Sequence, residues 1–202
     1  MYERQERDEV AAEPRTSALF PPSPRRVDEA IIVGVGEYRT IGGPGQLACI
    51  GLGSCVGIAI YDLQAQVGGL AHAMLPRYEE GRDKVNAAKY AASSIMLMVD
   101  ELAEMGAARS RLRAKIAGGA HMFSFLSSDT LNIGQRNSEA ARDTLKAEHI
   151  RLLGEDLGGT RGRTIAFSTA DGSYRVQMGG DLFPFIEMCF HGAEKTHLDE
   201  RE

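Results

Sequence analysis

No apolar run in this chain approaches the roughly 20 residues needed to span a bilayer. The opening Met-Tyr-Glu-Arg-Gln-Glu-Arg-Asp-Glu also lacks the apolar core of a secretory signal. The expected location is therefore the cytoplasm. Basic charge is short as well: 23 Lys and Arg against 28 Asp and Glu give a formal net charge of -5, without the basic footprint of a nucleic-acid binder. Cysteine occurs only as Cys49, Cys55 and Cys189, an odd and sparse set that excludes a disulfide framework and fits thiols in a reducing compartment. His121, His149, His191 and His197 are scattered without metal-ligand spacing, so neither a metal nor another cofactor is expected. No internal repeat or low-complexity linker marks a boundary to a second domain.

What is present suits one globular domain with tails. A chain of 202 residues with 43% hydrophobic content is long enough to bury a real core. Residues 1–27 are charged, carry Pro21, Pro22 and Pro24, and lack periodicity, which predicts a disordered N-terminal arm. Residues 192–202 are polar and read as a frayed C-terminal tail. The domain then covers 28–191.

Within it, β-rich runs alternate with helical patterns. Strands are expected at Ile31–Val35, Gln46–Ile50, Val56–Tyr61, Val67–Leu75, Leu112–Ala117, Ile150–Leu153, Thr164–Ser168 and Tyr174–Met178. Val85, Ala88, Ala92, Ile95, Met96, Val99, Leu102 and Ala103 recur at three- and four-residue spacing, predicting an amphipathic helix over Asp83–Met105 that stops at Gly106. A second helix runs to about Ala147 with Asn137 or Ser138 as its cap and Glu139 in its first turn. The mixture implies an α/β or α+β fold, and several connections are too short for crossovers, which favours antiparallel pairing.

The candidate chemistry sits in Gly51-Leu52-Gly53-Ser54-Cys55 and, seventeen positions later, His72. A thiol at the end of a glycine-rich turn can meet backbone N–H groups on one side and an imidazole on the other, which is equipment for attacking a carbonyl; an imidazole neighbour would favour the thiolate. The hairpin between them supplies a geometric condition. A four-residue loop makes paired positions sum to 129 or 127 and puts Cys55 and His72 on one face, whereas a five-residue loop makes the sum 128 and puts them on opposite faces. By residue type alone, the plainer readings are a buried structural thiol and a satisfied core histidine. Gly51-Leu-Gly-Ser has neither the lysine nor the spacing of a phosphate-binding P-loop.

Several blocks together resemble the CheD family of chemoreceptor glutamine deamidases: Gly34-Val-Gly-Glu37, Gly51-Leu-Gly-Ser-Cys-Val56, Gly69-Leu-Ala-His-Ala-Met-Leu-Pro76, Lys89-Tyr90, Lys115-Ile-Ala-Gly-Gly-Ala-His-Met-Phe123, Asn132-Ile-Gly-Gln-Arg-Asn137 and Asp156-Leu-Gly-Gly-Thr-Arg-Gly-Arg163. The resemblance spans about residues 29–180. It implies a three-layer α/β sandwich with a mixed, largely antiparallel sheet and flanking helices. It also implies hydrolysis of selected receptor glutamines to glutamate in chemotaxis adaptation, and a complex with a CheC-type phosphatase. Carried over by position, Cys55 matches the nucleophile and His72 the general base. Backbone N–H groups from Gly53 through Ser54 to Cys55 then serve the oxyanion. The family's third catalytic position, usually a threonine six residues before the cysteine, is Cys49 here, and a thiol is the weaker hydrogen-bond partner. That departure is the one feature favouring an alternative class, a binding module with a weakened catalytic pair that engages a CheC-type phosphatase or a receptor.

Overall fold

Asp62 sets the register on which the rest of the site depends. Its Oδ1 accepts from the backbone N–H groups of Gln64 at 3.0 Å and Ala65 at 3.3 Å, an Asx turn that closes residues 63–66 into a four-residue loop. The strands on either side, Val56–Asp62 and Val67–Ala73, pair antiparallel with Asp62 opposite Val67 and Gly57 opposite His72. Paired positions sum to 129, one of the two registers that bring Cys55 and His72 to a common face.

The computed structural model describes residues 26–27, 30–82, 84–121, 132–178 and 186–188. In chain order its strands are β1 (Arg26–Val27), β2 (Ala30–Ile32), β3 (Tyr38–Gly42), β4 (Gln46–Leu52), β5 (Val56–Asp62), β6 (Val67–Ala73), β7 (Arg113–Gly118), β8 (Arg151–Leu157), β9 (Arg163–Ser168), β10 (Tyr174–Met178) and β11 (Ile186–Met188). The helices are α1 (Ala91–Glu104) and α2 (Ile133–Ala147). One sheet has the order β1-β2-β4-β9-β10-β11 and the other β3-β6-β5-β7-β8. The pairs β2–β4 and β7–β8 are parallel, and α2 supplies the crossover from β7 to β8 that a parallel pair requires.

The fold is α+β with three layers: two mixed sheets face to face, and both helices on the outer side of the second. Every residue of β5 and β6 is buried, because both faces of that hairpin are covered. Val56, Ile58, Ile60, Ala71 and Ala73 join Ile95, Met98, Leu102, Ala141 and Leu145 in the core under the helices. Ala59, Tyr61 and Leu70 turn the other way and join Leu47, Cys49, Leu52, Ile165 and Phe167 in the core between the sheets. A strand buried on both faces reads as a continuous apolar run, as β5 does.

Several boundaries differ from expectation. The helix anticipated over 83–105 begins at Ala91, because the preceding chain is tied to the end of β6. Met74 and Leu75 donate to the Lys89 carbonyl, and Ala91 donates back to Leu75. Val85, read as part of the apolar stripe, is 74% exposed. The second helix begins earlier than expected, at Ile133, with Asn132 as its cap accepting from Gln135 N–H at 3.2 Å. Asn137 and Ser138, expected to cap it, are buried inside it. Arg26–Val27, placed at the end of the arm, pairs with Ile31 and Ala30 as a short strand. Strands β3 and β11 were not anticipated. The expectations for residues 1–25, for the tail 192–202, and for Cys189, His191 and His197 lie outside the described residues.

Candidate active site

The site begins with an irregularity in β4. Cys49 pairs with Ile165 and Leu52 with Arg163, so three steps on β4 oppose two on β9, a bulge that Gly51 makes with φ of +73°. The extra residue sends Ile50 and Gly51 outward and turns both Cys49 and Leu52 into the core between the sheets. The chain then leaves β4, makes the Gly53–Ser54 turn and re-enters the second sheet at Val56. Cys55 is the last residue before the strand, and it is partly buried against the intersheet core.

All three carbonyls of this turn are held. Ala120 N–H donates to Gly53 O at 2.8 Å and Gly119 N–H to Cys55 O at 2.8 Å. Between them, Asn137 Nδ2 donates to Ser54 O at 2.9 Å and to Met74 O at 3.0 Å. The contact with Gly119 depends on Gly118, whose φ is +121° and whose Cα approaches so closely that an added Cβ would lie 2.2 Å from Cys55 O. A planar trans peptide points its N–H away from its carbonyl, so the Ser54 and Cys55 N–H groups are directed away from these anchors. Among the described residues neither N–H has a backbone acceptor. Two fixed donors without a backbone acceptor, beside a thiol, form a candidate oxyanion hole.

His72 lies opposite Gly57, and continuing the register one step makes it the diagonal neighbour of Cys55. In antiparallel pairs such positions have Cα atoms on the order of 7 Å apart, within reach of long side chains. The ring's Nδ1 lies 3.4 Å from Val33 O, so the tautomer that donates there leaves Nε2 as the basic nitrogen. Nε2 is buried and has no partner among the described residues. Burial lowers the His72 pKa below its ordinary value, opposed by the Val33 carbonyl and the Glu37 charge. Burial also pushes the Cys55 thiol up, against a smaller opposing contribution from its own backbone N–H. Both directions favour a neutral imidazole and a thiol, against the thiolate that an imidazole neighbour would favour.

Cys49 is fully buried, and its Sγ points at Ala71 O, 3.9 Å away. Burial, and then the nearby Cys55, push its thiol well above the ordinary range. The carbonyl of Val33 contacts the His72 ring, and the Cys49 thiol contacts the backbone of the residue before it. Gly53 and Ser54 lie in the bend between β4 and β5. His121 is exposed, and its N–H donates to Gly159 O, while His149 follows the end of α2 with φ of 56°. Among the described residues, no group of three or more His, Cys, Asp or Glu side chains could hold a metal. No helix among them is long and apolar enough to cross a membrane.

Asn137 and Val33 are the contributors that residue-level reasoning missed. Val33 acts through its backbone and leaves no trace in a side-chain pattern. Asn137 did leave one: it falls on the stripe with Ala141, Thr144 and Leu145, where a polar side chain must be hydrogen-bonded or cost about 1–3 kcal/mol.

Residues 74–178 match the family described as "CheD chemotactic sensory transduction". A protein of Archaeoglobus fulgidus named "Probable chemoreceptor glutamine deamidase CheD" is 46% identical over 155 residues, covering 76% of this chain and 97% of that protein. Proteins with the same name from Desulforamulus reducens and Pyrococcus abyssi are 46% identical over 157 residues and 44% over 154, covering 95% and 94% of their own lengths. Among solved structures, the Bacillus licheniformis hypothetical protein YfiH superposes with a TM-score of 0.40 at 19% identity, over 61% of this chain and 51% of that one. The family match begins two residues after His72.

Proposed function

The chain belongs to the CheD family of chemoreceptor glutamine deamidases, and on that footing we propose that it hydrolyses receptor glutamine side chains with Cys55 as nucleophile and His72 as general base. The observation that carries the reading is the hairpin register. It pairs His72 with Gly57, two residues after Cys55, and alongside it stand a buried Nε2 without a partner among the described residues and a Cys55 turn whose three carbonyls are held.

In this mechanism His72 Nε2 takes the Cys55 proton as Sγ adds to the glutamine Cδ, and the carbonyl oxygen becomes an oxyanion facing the Ser54 and Cys55 N–H groups. The imidazolium returns the proton to the departing nitrogen, so the C–N bond breaks and ammonia leaves a thioester. Water, deprotonated by His72, then attacks the thioester; glutamate is released and the Cys55 thiol is restored. The direction of the His72 shift favours the neutral imidazole that the first proton transfer requires.

The partner is a chemoreceptor, and the site of action is its cytoplasmic helices. A CheC-type phosphatase is the second expected partner, supported by family membership. Incubation with receptor, followed by measurement of ammonia and of the mass gain of amide-to-acid conversion at individual glutamines, tests the activity. Co-purification with receptor in the absence of ammonia release would instead support the binding-module alternative.

A further inference from the structure

Asn137 belongs to a segment, Asn132 to Asn137, that the mechanism above does not use. It is fully buried on α2, yet its carboxamide reaches out of the helix to two carbonyls that lie 20 positions apart in the chain. Both neighbours, Ser54 O and Met74 O, are acceptors, which fixes the amide with Nδ2 facing them. One side chain thus ties the nucleophile turn to the residue just past β6, the strand that carries His72.

The peptide held by this contact is the one between Ser54 and Cys55. Its carbonyl is on Asn137, so its N–H, that of Cys55, is aimed the opposite way. The carbonyls on either side have backbone donors, Ala120 N–H and Gly119 N–H, whereas the central one depends on a side chain. We propose that Asn137 is a positioning residue that aims the Cys55 N–H as an oxyanion donor by fixing the Ser54–Cys55 peptide plane. It touches no reacting atom. The inference rests on Cys55 being the nucleophile.

An alkylation test separates this role from a general structural one. Displacement of iodide from iodoacetamide by the Cys55 thiolate occurs at a saturated carbon and develops no oxyanion, so it needs the thiol but not the hole. Asn137→Ala and Asn137→Ser should lower kcat for receptor deamidation by on the order of 10²-fold with KM changed by less than about threefold. The rate and pH dependence of Cys55 alkylation should remain those of the wild type. Leu145→Ala, a cavity variant on the same helix facing the core under the helices, should lower the melting temperature and leave kcat intact at temperatures well below it. Parallel loss of kcat and alkylation in the Asn137 variants, or wild-type kcat in both, would overturn the positioning role. Measured alongside, Cys55→Ala distinguishes the two levels: if it is inactive while Asn137→Ala turns over normally, only the positioning role falls. Turnover by Cys55→Ala would remove the nucleophile and this inference with it.

Discussion

Gly118→Ala is the substitution whose consequence the structure states most sharply. An L-residue at φ of +121° carries a backbone cost of about 1–2 kcal/mol. The new methyl would begin 2.2 Å from Cys55 O and 3.2 Å from the Cα of Val56; because these are backbone atoms, relief requires β7 and the nucleophile turn to separate, at about 1–3 kcal/mol. Separation also lengthens the bond from Gly119 N–H to Cys55 O, for about 1 kcal/mol more. The total is about 3–6 kcal/mol. Gly106→Ala isolates the backbone part, because Gly106 has φ of +98° at the end of α1 and an added Cβ there meets nothing within 4 Å. Its cost should stay near 1–2 kcal/mol. At about 2–4 °C per kcal/mol for a domain of this size, the two variants should differ in melting temperature by roughly 10 °C, read by differential scanning calorimetry at pH 7.5. Only Gly118→Ala should lose deamidation activity at a temperature where both are folded. Equal melting temperatures, or full activity in Gly118→Ala, would refute a holding role of this close approach in the Cys55 turn.

Other consequences concern the pair itself. Since the Val33 carbonyl contacts the His72 ring and the Cys49 thiol contacts Ala71 O, Cys49→Ala should lower kcat less than about tenfold, an effect of about 1.4 kcal/mol or less; a loss above 10²-fold in steady-state assays would return the orienting role to Cys49. Because burial raises the Cys55 pKa, its alkylation rate should keep rising past pH 8.5, and a plateau reached near pH 6–7 would reveal a resting thiolate–imidazolium pair instead. The lowered His72 pKa also has a stability sign: the unfolded histidine protonates first, near 6.5, so the contribution is complete above that value. It is lost as pH falls from there through the lower folded value, at up to about 1.4 kcal/mol per unit. His72→Gln should flatten denaturant-midpoint measurements between pH 7 and 5 relative to wild type, and an unchanged slope would contradict the shift.

The hairpin shows where sequence reasoning carries and where it stops. The strands β5 and β6 announce themselves through an unbroken apolar run and a polar interval, but the choice between registers hangs on the Asx turn of Asp62, a side-chain contact that strand propensity does not encode. Cys55, His72 and the Gly53–Ser54 turn were visible as residue types at a suggestive spacing. The anchors that orient them were not, since Val33, Gly119 and Ala120 act through main-chain atoms, and Asn137 comes from a helix some 80 positions away. The α1 boundary failed for a related reason: Val85 and Ala88 fit a helical stripe, yet the tether of Leu75 to Tyr90 holds that segment as a connector. Strand β3 escaped notice because its residues are only partly buried and carry no alternating pattern.

The proposed mechanism requires an acyl intermediate on Cys55. Rapid acid quenching of the protein mixed with a glutamine-containing receptor fragment, followed by peptide mass mapping, reads it directly. The expected result is a transient adduct on Cys55 with the mass of the fragment less one ammonia, absent from Cys55→Ala, which should release no ammonia. Wild-type turnover by Cys55→Ala, or an adduct mapped to another residue, would contradict it.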